Sequence, residues 1–62
     1  MEIQEVKSNL NKPVSYKGTQ YKLTACILRK GAEGLYYTAE LLDIKHGNSV
    51  LICKLNDVEV TG

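Results

Sequence analysis

The residues able to do chemistry are few: two cysteines (Cys26 and Cys53), one histidine (His46), and the carboxylates Glu40 and Asp43. A thiol nucleophile needs a base beside it, acid–base catalysis needs two tuned groups converging, and a metal needs three or four ligands. None of these patterns is spelled out. His46 precedes Gly47 where a turn is expected, so it reads as a solvated loop residue. Nothing in the spacing ties Cys26 to His46 as a dyad. Glu40 and Asp43 are three apart, and strand alternation turns them to opposite faces. A metal site would want a CxxC pair or several histidines, and neither GxGxxG nor GxxxxGK[ST] occurs. The expectation is a protein that is not an enzyme, with no metal and no small-molecule cofactor.

The two cysteines stand 27 positions apart, without the dense spacing of a disulfide framework. They read as reduced thiols with a packing role, a bridge being the less favoured alternative. The acidic start Met1-Glu2-Ile3-Gln4-Glu5 lacks the basic and apolar regions of a signal peptide, and no run approaches a membrane span. These features predict a cytoplasmic protein without a membrane partner.

Positioning of any surface falls to a very small fold. A chain of 62 residues forms one domain and buries only about 60% of the surface its unfolded form exposes. An enclosed cleft would remove core that such a protein needs, which favours surface binding. The apolar share of 44% and mixed charge argue against disorder. Net charge is +1, yet residues 1–31 carry six basic and two acidic side chains while 32–62 carry two basic and five acidic. Ordinary solvated charge is the simpler reading, and a two-faced surface is the sharper one.

Ile3, Val6 and Leu10 fall on one narrow helical stripe, which predicts a short helix within 1–12, ended by Asn11-Lys12-Pro13. No good N-cap precedes it, so it should depend on docking. From Val14 the period is two, and residues 14–60 read as strands. A turn at Gly18-Thr19 would set Tyr16 opposite Tyr21 and Val14 opposite Leu23. A five-residue loop over 30–34 would pair Ile27 with Tyr37, Ala25 with Ala39 and Leu23 with Leu41. A turn at His46-Gly47 would pair Leu41 with Ile52. Leu55-Asn56-Asp57-Val58 reads as one helical turn, and Glu59-Val60 as a short last strand able to return to the first.

In this register the face opposite the core carries Leu28, Tyr36, Leu42, Ile44, Leu51 and Cys53, more apolar residues than a one-sided sheet would show. A curled sheet, the helix, or another protein could cover them. Two binding readings follow. The first is a non-enzymatic protein-binding or self-associating module with Tyr36, Leu42 and Leu51 as contacts. The alternative is a small barrel that binds nucleic acid through Lys17, Lys22, Arg29 and Lys30, with Tyr36 for stacking. A third is an accessory subunit whose acids Glu33, Glu40, Asp43, Asp57 and Glu59 mimic phosphates, offset by two lysines.

A leading helix, successive hairpins and the terminal Val50-x-Ile52-x-x-Leu55-x-x-Val58 resemble SH3-like barrels. The resemblance implies an all-β fold: an antiparallel barrel of about five strands with a short N-terminal helix, occupying 1–62 as a single domain. The chain has no tryptophan and no acidic first loop, and Tyr36-Tyr37 departs from the ALYDY motif, so proline-peptide recognition is not implied. Val14-x-Tyr16-Lys17-Gly18-x-x-Tyr21-x-Leu23-Thr24 together with Tyr36-Tyr37-x-Ala39-Glu40-Leu41-x-Asp43 is also similar to small proteins of Gram-positive phages and mobile elements. That likeness implies no particular activity.

Overall fold

The computed structural model describes residues 1–61. A helix, α1 (Ile3–Asn9), leads into β1 (Pro13–Tyr16), β2 (Thr19–Gly31), β3 (Gly34–Asp43) and β4 (Ser49–Lys54). A 3₁₀ turn (Leu55–Asp57) and β5 (Val58–Val60) follow. The strands form one antiparallel sheet in the order β4-β3-β2-β1-β5. This is the expected five-stranded all-β arrangement with a short N-terminal helix, a sheet whose two edge strands are β4 and β5. The return of β5 onto β1, with Val14 opposite Val60 and Tyr16 opposite Val58, covers that edge as anticipated.

The helix has an N-terminal cap where the sequence suggested none. The Glu5 carboxylate accepts the Glu2 N–H at 2.8 Å, one arm of a capping box. Val6 is its one buried residue, and Asn11, with φ of +63°, closes it before Pro13. The Met1 amine donates to the carbonyls of Leu55 and Val58, seating the chain start against the 3₁₀ turn.

The first hairpin turns one residue earlier than the spacing suggested. Lys17 and Gly18 form it with φ of +49° and +78°, and both positive values mark the I′ class whose twist matches the flanking strands. Val14 therefore pairs with Tyr21 and Tyr16 with Thr19, in place of Leu23 and Tyr21. The offset between the two registers is even, so the faces stay as read. Val14 and Leu23 are fully buried, and Tyr16 meets Tyr21 edge-on, with ring centroids 6.3 Å apart.

The second hairpin departs further. Gly31 pairs with Gly34 around a two-residue connection, and Leu28↔Tyr37, Ile27↔Thr38 and Cys26↔Ala39 follow. Leu23↔Leu41 holds as expected, because a β-bulge lies between Leu23 and Ala25. Thr24 is the extra residue. Its hydroxyl donates to the Glu40 carbonyl at 3.0 Å and lies 2.9 Å from the Glu40 carboxylate. The bulge reverses the alternation, turning Cys26 inward and Ala25 and Ile27 outward, and it bends a strand of thirteen residues across both halves of the sheet.

The third connection spans 44–48, and Asn48 (φ +62°) and Gly47 (φ +75°) supply the left-handed backbone. Leu41 pairs with Leu51, Ala39 with Cys53 and Leu42 with Val50, one residue from the pairing with Ile52. An odd offset exchanges faces. Leu51 and Cys53 thus join the core, and Val50 and Ile52 take the solvent side. The core is Val6, Val14, Leu23, Ala39, Leu41, Cys53, Leu55 and Val58, with Met1, Tyr16, Tyr21, Cys26 and Leu51 packed around it.

Candidate interaction surface

The register assigns every strand residue to the inner, core-packed face or to the outer, solvent face. Along the outer face, Leu42 neighbours Val50, Glu40 neighbours Ile52 and Ala25, Thr38 (buried, its hydroxyl on the Ile27 carbonyl) neighbours Lys54 and Ile27, and Tyr36 neighbours Arg29. Exposure is 60% at Val50, 43% at Ile52 and 40% at Tyr36, with Leu42 half-buried between Val50 and Lys22. The result is an apolar stripe across β2, β3 and β4, edged by Lys22, Arg29 and Lys54 and crossed by Glu40.

Two of the three residues expected to make protein contacts lie on this face. Tyr36 and Leu42 share it, whereas Leu51 sits on the inner face against the core. The basic set divides too. Lys22 and Arg29 border the stripe, and Arg29 is directly opposite Tyr36. Lys30, paired with Leu35, points to the other side, and Lys17 occupies the first turn with its ammonium 5.4 Å from the Tyr16 ring centroid. Val50 and Ile52 were missed because they became outward-facing only once the 44–48 connection took five residues.

On the inner side, the β2–β3 hairpin runs past the core and leaves Leu28 and Leu35 exposed beside Tyr37. Beneath it an open groove of about 790 Å³ lies against Glu2, Ile3 and Glu33 and reaches the outer-face residues Tyr36 and Lys54 at its margin. The groove is broad, and carboxylates (Glu2, Glu33) and an ammonium (Lys54) share its lining. Among the described residues, no three His, Cys, Asp or Glu side chains gather as for a metal ion. No helix among them is long and apolar enough to cross a membrane.

The thiols sit in one row of the sheet, Cys26 and Cys53 each opposite Ala39 from either side. Two inter-strand spacings separate them by about 10 Å, beyond the roughly 7 Å that a disulfide spans between Cα atoms. Both are free, and burial pushes both thiols above the ordinary cysteine pKa; Asp57 adds to the rise at Cys53 and Lys17 opposes it. The expected outcome is two alkylatable thiols after air oxidation and unfolding, with slow labelling of the native protein at neutral pH. Mass spectrometry after trapping reads both, and an intramolecular bridge in the folded protein would contradict the register.

Asp43 organises the third loop. Its carboxylate accepts the Lys45 N–H at 3.1 Å and lies 2.8 Å from His46 Nδ1, while the Ser49 hydroxyl donates to the His46 carbonyl at 3.0 Å. Partial desolvation raises the Asp43 pKa, and the hydrogen bonds from His46 and Lys45 outweigh it, leaving the group below the usual carboxylate value. A carboxylate whose folded pKa is depressed stabilises above its unfolded pKa, so this loop order is complete above about pH 4 and fades as pH falls through the lower folded value. The Lys45 amide resonance followed by NMR should titrate below the usual aspartate midpoint and lose that response in Asp43→Asn. A midpoint at or above the ordinary value would contradict the cap.

Fold and surface together define a small all-β domain, one five-stranded antiparallel sheet with apolar residues on its outer face and basic margins. Comparison of the chain with protein-family models, with curated proteins and with solved structures finds no match in any of the three.

Proposed function

We propose that this protein is a non-enzymatic interaction module that binds protein through the outer face of β2, β3 and β4. The observation that carries this reading is the apolar group of Leu42, Val50 and Ile52, with Tyr36 beyond Thr38 and Glu40 on the same face, on the solvent side of a sheet whose other face already packs the core. Water-facing sheet surfaces are ordinarily polar, and contiguous apolar patches on small proteins mark contact sites. Lys22, Arg29 and Lys54 surround the stripe as a polar rim does at protein interfaces. The free thiols two strands apart suit a reducing compartment, which supports a cytoplasmic setting.

An environment-sensitive apolar dye tests the reading. The native protein should bind it, and Val50→Lys should remove most of that binding without changing the circular dichroism. A protein that binds no dye and remains strictly monomeric when concentrated would remove the basis of this reading.

A second reading draws on one juxtaposition. Arg29 lies opposite Tyr36 and Lys22 borders the same face, the combination of charge and stacking ring used by single-strand binders. Titration with short mixed-sequence DNA and RNA would then shift the Lys22, Arg29 and Tyr36 amides, and the shifts would shrink steeply with salt. Salt-insensitive or absent shifts would remove it.

A further inference from the structure

The sheet ends on an open edge that is unguarded. β4 pairs with β3 on one side through six consecutive residues without a break, and among the described residues no strand pairs with its other side. Edge strands of monomeric proteins are commonly blunted by proline, a bulge, a central charge or brevity. The far edge, β5, uses the last two, being three residues long with Glu59 at its centre. By contrast β4 reads Ser-Val-Leu-Ile-Cys-Lys, regular, uncharged until its last residue and rich in β-formers.

From this we infer that β4 pairs with the β4 of a second copy, antiparallel about a two-fold axis at Leu51, joining two five-stranded sheets into one. The inference rests on the protein-interaction reading and names its partner. Parity restricts the register. Opposite residues of an antiparallel pair share a face, so an odd offset would set the solvent face of one copy beside the packed inner face of the other. Centring on Ile52 would place each Lys54 against Val50. Centring on Leu51 puts Val50 opposite the other copy's Ile52 twice, and Leu51 opposite its own equivalent. Each Lys54 then falls opposite Asn48, outside the apolar block and far from the other Lys54. The outer stripes of the two copies become continuous through Leu42 and Val50 into Ile52.

The area sets the strength. A paired segment of five residues is about 17 Å long on a sheet edge about 10 Å thick, which buries less than the roughly 1,000 Å² of a stable interface. The dimer is therefore weak and reversible, with Kd on the order of 10⁻⁴ M.

Sedimentation velocity on the full chain, from about 20 µM to about 1 mM so as to bracket that Kd, tests the inference. The mean mass of the wild type should climb toward the dimer. Ile52→Lys and Val50→Glu, both at exposed positions and checked for folding by circular dichroism, should each weaken dimerisation at least about tenfold. The V50E/I52K double variant sets opposite charges across the axis at both Val50–Ile52 contacts, and should recover a dimer that dissociates with salt. A dimer untouched by Ile52→Lys, or a double variant that stays monomeric, would overturn the edge pairing or its register. A wild type monomeric at the highest concentration would overturn the inference as well. If that monomer binds the apolar dye, the outer-face reading stands alone; if it does not, both fall. An unlabelled extended peptide that shifts β4 amides in a monomeric wild type would assign the edge to a foreign strand instead.

Discussion

Leu41→Ala is expected to leave the chain largely unfolded at 25 °C. Leu41 is fully buried at the middle of β3, between Leu23 on β2 and Leu51 on β4. Truncating such a leucine costs about 2–5 kcal/mol through lost transfer energy and the cavity left behind. A core of this size supplies only about 3–5 kcal/mol in total, so one substitution consumes most of it. The neighbouring Leu42→Ala is the internal control. Leu42 is half-buried on the opposite face, against Lys22 and Val50, and its loss should cost less than about half as much. Urea midpoints followed by circular dichroism separate the two. Equal losses would mean that the faces of β3 are not those described.

The second large effect is an overpacking one, and it tests the bulge. Ala39→Leu should destabilise by about 1–3 kcal/mol or more, again enough to unfold much of the population. Ala39 is fully buried with Cys26 and Cys53 opposite it on its two flanking strands, leaving no room for three further carbons. Ala25→Leu adds the same atoms on the outer face opposite Glu40, and should change stability by no more than about 0.5 kcal/mol. Were β2 unbroken, Ala25 would face Ala39 and the two substitutions would be equally harmful. Thermal unfolding of both variants therefore reads the position of the bulge directly. Adding Cys53→Ala to Ala39→Leu should recover part of the loss by vacating the space beside it.

These contrasts mark the boundary between local and global information. Period-two alternation over Val14–Leu23, together with Lys17-Gly18, determines the first hairpin, because each apolar residue there has a polar neighbour. The hairpin could slip by two without changing which side chains were buried, and it does. Beyond Leu23 the run Ala25-Cys26-Ile27-Leu28 is apolar at both parities, so no pattern marks the residue at which the faces exchange. A long-range contact accompanies it there, the Thr24 hydroxyl on Glu40.

The same ambiguity governs the candidate surface. Tyr36 and Leu42 were legible as outward-facing because the alternation of Tyr37 to Leu41 sets the parity of the residues that flank it. Val-Leu-Ile-Cys in β4 does not alternate, and its faces depend on whether the preceding connection takes an even or an odd number of residues. Asp43, by capping Lys45 and His46, and Asn48, by adopting a left-handed backbone, make that number five. Composition and spacing alone thus determined a small all-β domain with a docked helix, a 3₁₀ turn before the last strand and scattered reactive groups. Tertiary structure decided which apolar residues became core and which became surface, since in strands apolar on both sides only the bulge and the turn length break the tie.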